Sequence, residues 1–326
     1  MGGLARGVLV SVSTMRATHE DPPTELTAND LVGGYRVEER IGIGGMGTVY
    51  RAVHADRGDT VALKLMNADQ LAFRSSIDRM MREAAFLGSI EHRGIPRLVE
   101  TGSFERRPWI AMELIVGTPL ASRLSHGAMD PDAVRDLVES VADVLAAAHA
   151  LGVTHRDLKP DNIFVTPDGR HPVSVIDWGI AHHVCGARYT NLNEAIGTPT
   201  YMAPEQARGG HTDGRADVYG LGVLAFRALT GRAPFVGDSA VEILVQHLNR
   251  RPPALGPRCP HAPVGLVELV ERMLVKDAGE RPTAAAVKLA IHRMRRDACE
   301  PDYLELEIAH GASFEERTTR PLRVAQ

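Results

Sequence analysis

Hydrophobic periodicity changes character once along this chain, and that change limits it to an α+β architecture in two parts. From Tyr35 to Ile115, short β-branched runs (TVYRAV at 48–53, TVALKL at 60–65, WIAMELI at 109–115) alternate with turn residues, the signature of strands. One helix interrupts them, where Ile77, Met80, Met81, Ala84, Phe86 and Leu87 approximate helical spacing within 77–90. From Asp130 onward the pattern is helical. Asp130 and Pro131 read as N-cap and first helical residue, and Val134, Leu137, Val138, Val141 and Leu145 trace one apolar stripe. Further helices are expected near 216–230, 240–249, 264–275 and 283–296. The expected organisation is a flexible tail over 1–34, a small β-rich lobe with one helix over 35–116, a larger helical lobe over 117–298, and a second tail over 299–326.

Composition excludes several classes. With 326 residues, 44% of them hydrophobic and 24% charged, the chain can bury a core without disulfides or metals and is not a disordered polymer. The 37 cationic and 41 acidic side chains leave a net charge of −4, which gives no global field for nucleic acid or an acidic membrane. Cys185, Cys259 and Cys299 are odd in number, far apart and without a CxxC pair, so a reducing, cytoplasmic setting is expected. The apolar stretch from Val8 to Val12 is too short for a span, and Arg6 stands where a myristoylation signal needs Ser or Thr. No membrane anchor is expected.

Gly42, Gly44 and Gly47 form GxGxxG, a weak signal by itself among 31 glycines. A dinucleotide site would continue into a helix, but Thr48-Val49-Tyr50 continues as a strand. A Walker loop would continue as GK[ST], and Thr48 follows Gly47 instead. What remains is either an ordinary glycine-rich hairpin or a β-turn-β flap whose amides close over phosphates. Lysine usage sharpens the choice. Only Lys64, Lys159, Lys276 and Lys288 are lysines among the 37 cations, so each marks a place where a compact ammonium suits better than a guanidinium. Lys64 ends the strand Val61-Ala62-Leu63-Lys64. Glu83 lies mid-helix near the apolar face, where an unpaired carboxylate is costly, so it needs a cation and Lys64 is the candidate. Farther on come His155-Arg156-Asp157-Leu158-Lys159-Pro160-Asp161-Asn162, then Asp177-Trp178-Gly179, then Ala203-Pro204-Glu205.

With these motifs in this order and spacing, the chain resembles the eukaryotic-like (Hanks-type) protein serine/threonine kinases over residues 35–296. The wording GGMGTVY and GTPTYMAPEQ is similar to the bacterial branch. The resemblance implies a bilobal protein-kinase fold that uses ATP and Mg²⁺ to phosphorylate protein Ser/Thr hydroxyls, its own included. It implies that Lys64 grips the α/β-phosphates and is oriented by Glu83. Asp157 takes or orients the hydroxyl hydrogen, Lys159 neutralises the γ-phosphate, and Asn162 and Asp177 hold the metal. The nucleotide would lie among Ile41, Gly42, Gly44, Gly45, Met46, Gly47, Val49 and Ala62 above and Phe164 beneath. Met112 would stand at the back, and Glu113 and Ile115 would offer backbone hydrogen bonds. His155 packs behind the site in such kinases. Glu205 with Arg281, and Asp217 with the catalytic loop, are expected as structural ties whose loss strands a buried charge.

Trp178 replaces the more frequent Phe of the family's DFG motif, and its larger ring is expected to hinder the flipped, inactive arrangement. Arg156 before Asp157 suggests switching by a phosphate on the activation segment. Thr190 is the first candidate acceptor and Thr200 the second, since Thr198 in GTPTY fits the peptide-binding wall. Thr318 and Thr319 are further candidates. His182, His183 and Cys185 lack a fourth ligand at matching spacing and read as a polar loop rather than a metal site. Two other functions fit these residues less well. A pseudokinase scaffold would show degraded Lys64, Asp157 or Asp177, and all three are intact. A small-molecule phosphotransferase would not need the APE segment, its Arg281 partner and the GTPTY wall. Family analogy leaves a homodimer open without fixing a surface.

Overall fold

The computed structural model describes residues 25–166, 171–178 and 199–299. Gly179, Thr190, Thr198, His182, His183, Cys185, Thr318 and Thr319 lie outside them.

The first lobe is a six-stranded antiparallel sheet in the order β1-β2-β3-β4-β6-β5. Its strands are β1 (Leu31–Val32), β2 (Tyr35–Ile43), β3 (Gly47–His54), β4 (Thr60–Met66), β5 (Leu98–Phe104) and β6 (Arg107–Glu113), with helix α1 (Arg74–Ser89) between β4 and β5. Strand β4 is buried on both faces and its side chains divide by the two-residue period. Val61, Leu63 and Leu65 join Tyr35, Tyr50 and Trp109 in one core, while Met66 packs with Met80, Ala84 and Ile110 beneath α1. Ala62 and Lys64 therefore share the α1 side of the sheet. Residues 25–34, which the sequence assigned to a tail, contribute to this lobe: β1 pairs with β2, and Glu25 bridges Arg40 at 2.7 Å. A two-residue strand is too short to leave a periodic signal.

The second lobe carries β7 (Thr118–Pro119), β8 (Ile163–Val165) and β9 (Val173–Val175) in one small sheet. Its helices are α2 (Leu120–Leu124), α3 (Pro131–Ala150), α4 (Pro204–Ala207), α5 (Arg215–Thr230), α6 (Ala240–Asn249), α7 (Val264–Met273) and α8 (Ala284–Cys299). Helix α3 starts where its sequence says it should: the Asp130 carboxylate accepts from Asp132 N at 2.9 Å and Ala133 N at 3.4 Å. Such a cap is worth about 1 kcal/mol. Every residue of α5 from Ala216 to Leu229 is buried except Arg227, so α5 is the central helix around which the lobe packs. It ends at Gly231, whose φ of 75° is the left-handed cap that glycine adopts at little cost. Among the described residues, no helix is long and apolar enough to cross a membrane.

Beside α5 sits a buried polar cluster. Tyr219 Oη lies 2.9 Å from His247 Nδ1, and Lys276 Nζ donates to Tyr219 Oη (3.0 Å) and His247 O (2.7 Å) while standing 4.2 Å from the Phe235 ring centre. Burial, helped by the Lys276 ammonium, lowers the His247 pKa to about 4, and burial lowers Lys276 to about 8. An unfolded histidine titrates near 6.5. The unfolded chain thus binds a proton that the folded chain refuses, and stability falls as pH drops from about 6.5 to about 4, by on the order of 2–3 kcal/mol from this group. Urea melts of wild type and His247→Gln at pH 7 and pH 4.5 check this. The variant is expected to lose less stability between the two pH values, and equal losses would exclude His247 as the cause.

Candidate active site

The glycine loop is a turn between β2 and β3, closed by Gly44 N–H donating to Gly47 O at 3.0 Å. Gly47 is required sterically, since a Cβ there would lie 2.7 Å from the Leu65 carbonyl oxygen. Gly44 and Gly45 are solvent-facing, Gly42 is half-buried, Ile41 is 46% exposed and Met46 is half-buried against α1. Asn67 clamps the loop: its Nδ2 donates to Gly44 O at 2.9 Å, and its Oδ1 accepts from Thr48 Oγ1 at 2.9 Å. Sequence reading missed Asn67, because no motif marks a clamp that acts across a strand pair.

Register places the expected nucleotide residues on one sheet face. Val49 is opposite Lys64, and Ala62 is opposite Met112. Directly opposed residues of antiparallel strands share a face, and so do residues two apart. Val49, Ala62, Lys64 and Met112 therefore line the same side. Glu113 N–H donates to Arg97 O at 2.9 Å, and Ile115 N–H has no backbone partner among the described residues. Phe164 comes from the other lobe, on β8, two residues beyond Asn162.

Lys64 meets its expected partner and a second one. Its Nζ donates to Glu83 Oε1 and Oε2 at 3.0 and 2.9 Å, and to Asp177 Oδ1 at 2.7 Å, so one ammonium joins the two lobes. Burial alone would lower the Lys64 pKa, but the two carboxylates outweigh it and raise it. Burial raises Glu83 against the pull of Lys64, while Lys64 lowers Asp177. Asp177 has φ 58° and Arg156 φ 65°, left-handed values that cost non-glycine residues of order 1–3 kcal/mol. Hydrogen bonds on both sides hold these shapes. Ile176 N–H donates to Asn162 O and His155 Nε2 contacts Ile176 O at 3.0 Å; Arg156 N–H donates to Asp217, and Gln206 Nε2 donates to Arg156 O at 2.8 Å.

Trp178 is fully buried. Its indole N–H donates to Val175 O at 3.0 Å, and its ring centre lies 4.9 Å from Phe86 and 4.8 Å from His155. The wide ring thus spans α1 and the loop that carries Asp157. His155 is wholly buried, in the packing position expected for it.

Asp157 sits between two donors. Lys159 Nζ reaches its Oδ2 at 2.8 Å, and Asn162 Nδ2 reaches its backbone O at 2.9 Å and its Oδ2 at 3.3 Å. With Nδ2 so used, the Asn162 oxygen has no protein partner among the described residues, and neither does Asp177 Oδ2. Glu83, Asp157 and Asp177 carry three negative charges against two from Lys64 and Lys159. Two available oxygens and one uncompensated carboxylate fit a hard divalent cation that keeps water and takes phosphate oxygens as further ligands.

The structural ties are present. Asp217 accepts from His155 N and Arg156 N, each at 2.8 Å, and contacts His149 Nε2 at 2.8 Å. His149 was not anticipated. Arg281, with a wholly buried side chain, donates to both Glu205 oxygens at 2.7 and 2.8 Å. Thr200 is half-buried in the short turn Pro199–Tyr201.

Comparisons with known proteins agree with this geometry. The chain is 38% identical over 261 residues to the serine/threonine-protein kinase pkn2 of Myxococcus xanthus, covering 78% of this chain and 31% of that protein. It is 36% identical over 292 residues to Pkn1 of the same organism (89% and 40%) and 37% identical over 257 residues to PknA of Mycobacterium tuberculosis (77% and 58%). The chain thus spans only part of the length of these relatives. The solved PknI kinase domain of Mycobacterium tuberculosis superposes with a TM-score of 0.65 at 26% identity, over 82% of this chain and 99% of that one. The protein kinase domain model matches residues 35–291, the stretch that holds the flap, the Lys64–Glu83–Asp177 junction and the Asp157 loop, and this chain belongs to that family.

Proposed function

We propose that this chain is a protein serine/threonine kinase that transfers the γ-phosphoryl group of ATP to protein hydroxyls, its own among them. The observation that carries the reading is Lys64 bonded at once to Glu83 and Asp177, with Asp157 held by Lys159 and Asn162 nearby. Phosphoryl transfer needs positioning and charge neutralisation more than covalent chemistry, and this set supplies both. Lys64 would hold the α/β-phosphates, with Glu83 fixing its ammonium. Val49, Ala62 and Met112 from the first lobe and Phe164 from the second would enclose the base, with Glu113 and Ile115 offering backbone groups. The glycine loop from Ile41 to Gly47 would cover the phosphates.

Asn162 and Asp177 would hold Mg²⁺, which neutralises phosphate charge when bound. The Asp157 carboxylate would accept the hydroxyl hydrogen of the substrate serine or threonine. The substrate oxygen then bonds to the γ-phosphorus as the bond to the β–γ bridging oxygen breaks, and ADP leaves. Lys159 would neutralise the oxygens of the group in transit; lysine at this place also supports Ser/Thr rather than Tyr acceptors.

Arg156 has no ion pair among the described residues, and its buried Nε lacks a partner there. That supports the reading of Arg156 as receptor for a phosphate on Thr190, with Thr200 as second candidate. The burial and contacts of Trp178 support its resisting the flipped arrangement, which would have to break them. The boundaries at 116 and 298 are proposed as limits of the lobes, and the first lobe is proposed to begin before residue 35, since β1 pairs with β2.

The test is intact-mass spectrometry of phosphatase-treated protein incubated with Mg²⁺-ATP. Successive phosphate additions are expected in wild type, and none in Lys64→Met or with a chelator present. Wild-type protein that binds ATP yet gains no phosphate on itself or on a generic protein substrate would overturn the reading in favour of a nucleotide-binding scaffold.

A further inference from the structure

The second lobe has a groove of about 350 Å³ between α7 and α8, far in sequence from Lys64, Asp157, Asn162 and Asp177. Leu269, Pro282, Ala286, Leu289 and Ala290 form its apolar lining, and Arg272 and Arg293 stand on it. Leu289 is 50% exposed, which is unusual for a leucine in the middle of a packed helix. Both arginines are exposed, and neither side chain has a hydrogen-bond or ion-pair partner among the described residues. By contrast, Lys288 and Arg295 on the same helix are engaged with Asp143, Asp136 and Glu139 of α3. An apolar slot flanked by two uncommitted guanidiniums fits a ligand that alternates apolar and acidic groups.

The chain itself supplies that chemistry. Residues 300–308 read Glu-Pro-Asp-Tyr-Leu-Glu-Leu-Glu-Ile, with four acids and no cation. Extended backbone would put Leu304, Leu306 and Ile308 on one face and Glu305 and Glu307 on the opposite one. Reach is sufficient. Arg293 lies six residues, about 9 Å, back along α8 from Cys299, whereas Leu304 lies five residues beyond it and can span about 16 Å. From Ala286 to Arg293 the helix runs about 10 Å, room for about three extended residues, which seats Leu304 and Leu306. The amino-terminal stretch does not compete: its apolar run from Val8 to Val12 holds no acid and follows Arg6. A covalently attached segment also enjoys a high effective concentration, so modest contacts suffice.

We propose that the groove between α7 and α8 is a docking site for residues 303–308 of the same chain, with Leu304 and Leu306 in the slot and the outward-facing Glu305 and Glu307 met at its rim by the long, exposed side chains of Arg272 and Arg293.

The test replaces Leu289 with photoreactive benzoylphenylalanine in the full chain and maps adducts in a mixture of light and heavy isotope-labelled protein. The expected adduct joins position 289 to a peptide containing 303–308 of the same copy. Arg272→Glu with Arg293→Glu is expected to cut its yield about tenfold. Adding Glu305→Arg with Glu307→Arg should restore it, a rescue that general damage to the fold would not allow. Adducts that join light to heavy copies, adducts lacking 303–308, or an undiminished yield in Leu304→Asp with Leu306→Asp would each overturn the proposal.

Discussion

Asp157→Asn is expected to lower the turnover of phosphoryl transfer by about 10²–10⁴-fold, the usual contribution of a positioned base. The change is nearly isosteric. It preserves the backbone carbonyl that accepts from Asn162 Nδ2 at 2.9 Å, and an amide oxygen can still accept from Lys159. What disappears is the negative charge between those two donors and with it the capacity to take up a proton. Residues proposed to grip the nucleotide are untouched: Lys64 keeps Glu83 and Asp177. Steady-state kinetics should therefore show a collapse of kcat with the KM for ATP little changed. If kcat stayed within tenfold of wild type, Asp157 would not be the base.

The largest effect on stability is expected at Arg281→Ala. The Arg281 side chain is wholly buried and donates to both Glu205 oxygens and to the carbonyls of Val275, Arg215 and Lys276, while its guanidinium stacks 4.8 Å from the Tyr219 ring centre. Truncation leaves three carbonyls and a largely buried carboxylate without their donor. Breaking such a pair from one side costs about 3–5 kcal/mol. In a domain of this size each kcal/mol moves Tm by roughly 2–4 °C, so a fall of about 6–20 °C is expected by calorimetry. Glu205→Gln keeps a hydrogen-bond acceptor beside Arg281 and should cost less. Equal losses in the two variants would argue that charge, rather than the unpaired carbonyls, dominates the site.

How much of this was legible beforehand depends on sequence separation. Helix α3 was readable to its first residue, because Asp130, Pro131 and the stripe from Val134 to Leu145 are local signals. The partnership of Lys64 with Glu83 was also readable, from the cost of a lone carboxylate on an apolar helix face. Three features were not. The bond from Lys64 to Asp177 depends on how the lobes meet, the Asn67 clamp on a strand register, and the Trp178 stack on the angle at which α1 approaches the loop that carries Asp157.

By itself, the sequence determined the order of strands and helices, the residue types of the site and the resemblance that named their roles, since period, capping and motif spacing are properties of short stretches. Only the tertiary structure decided that Asp177 and Arg156 adopt left-handed backbone, that His247 is buried beside Lys276, and that Arg272 and Arg293 stand uncommitted over an apolar groove. Burial and charge pairing are sums over neighbours far apart in the chain, so they exist only once the chain has closed on itself.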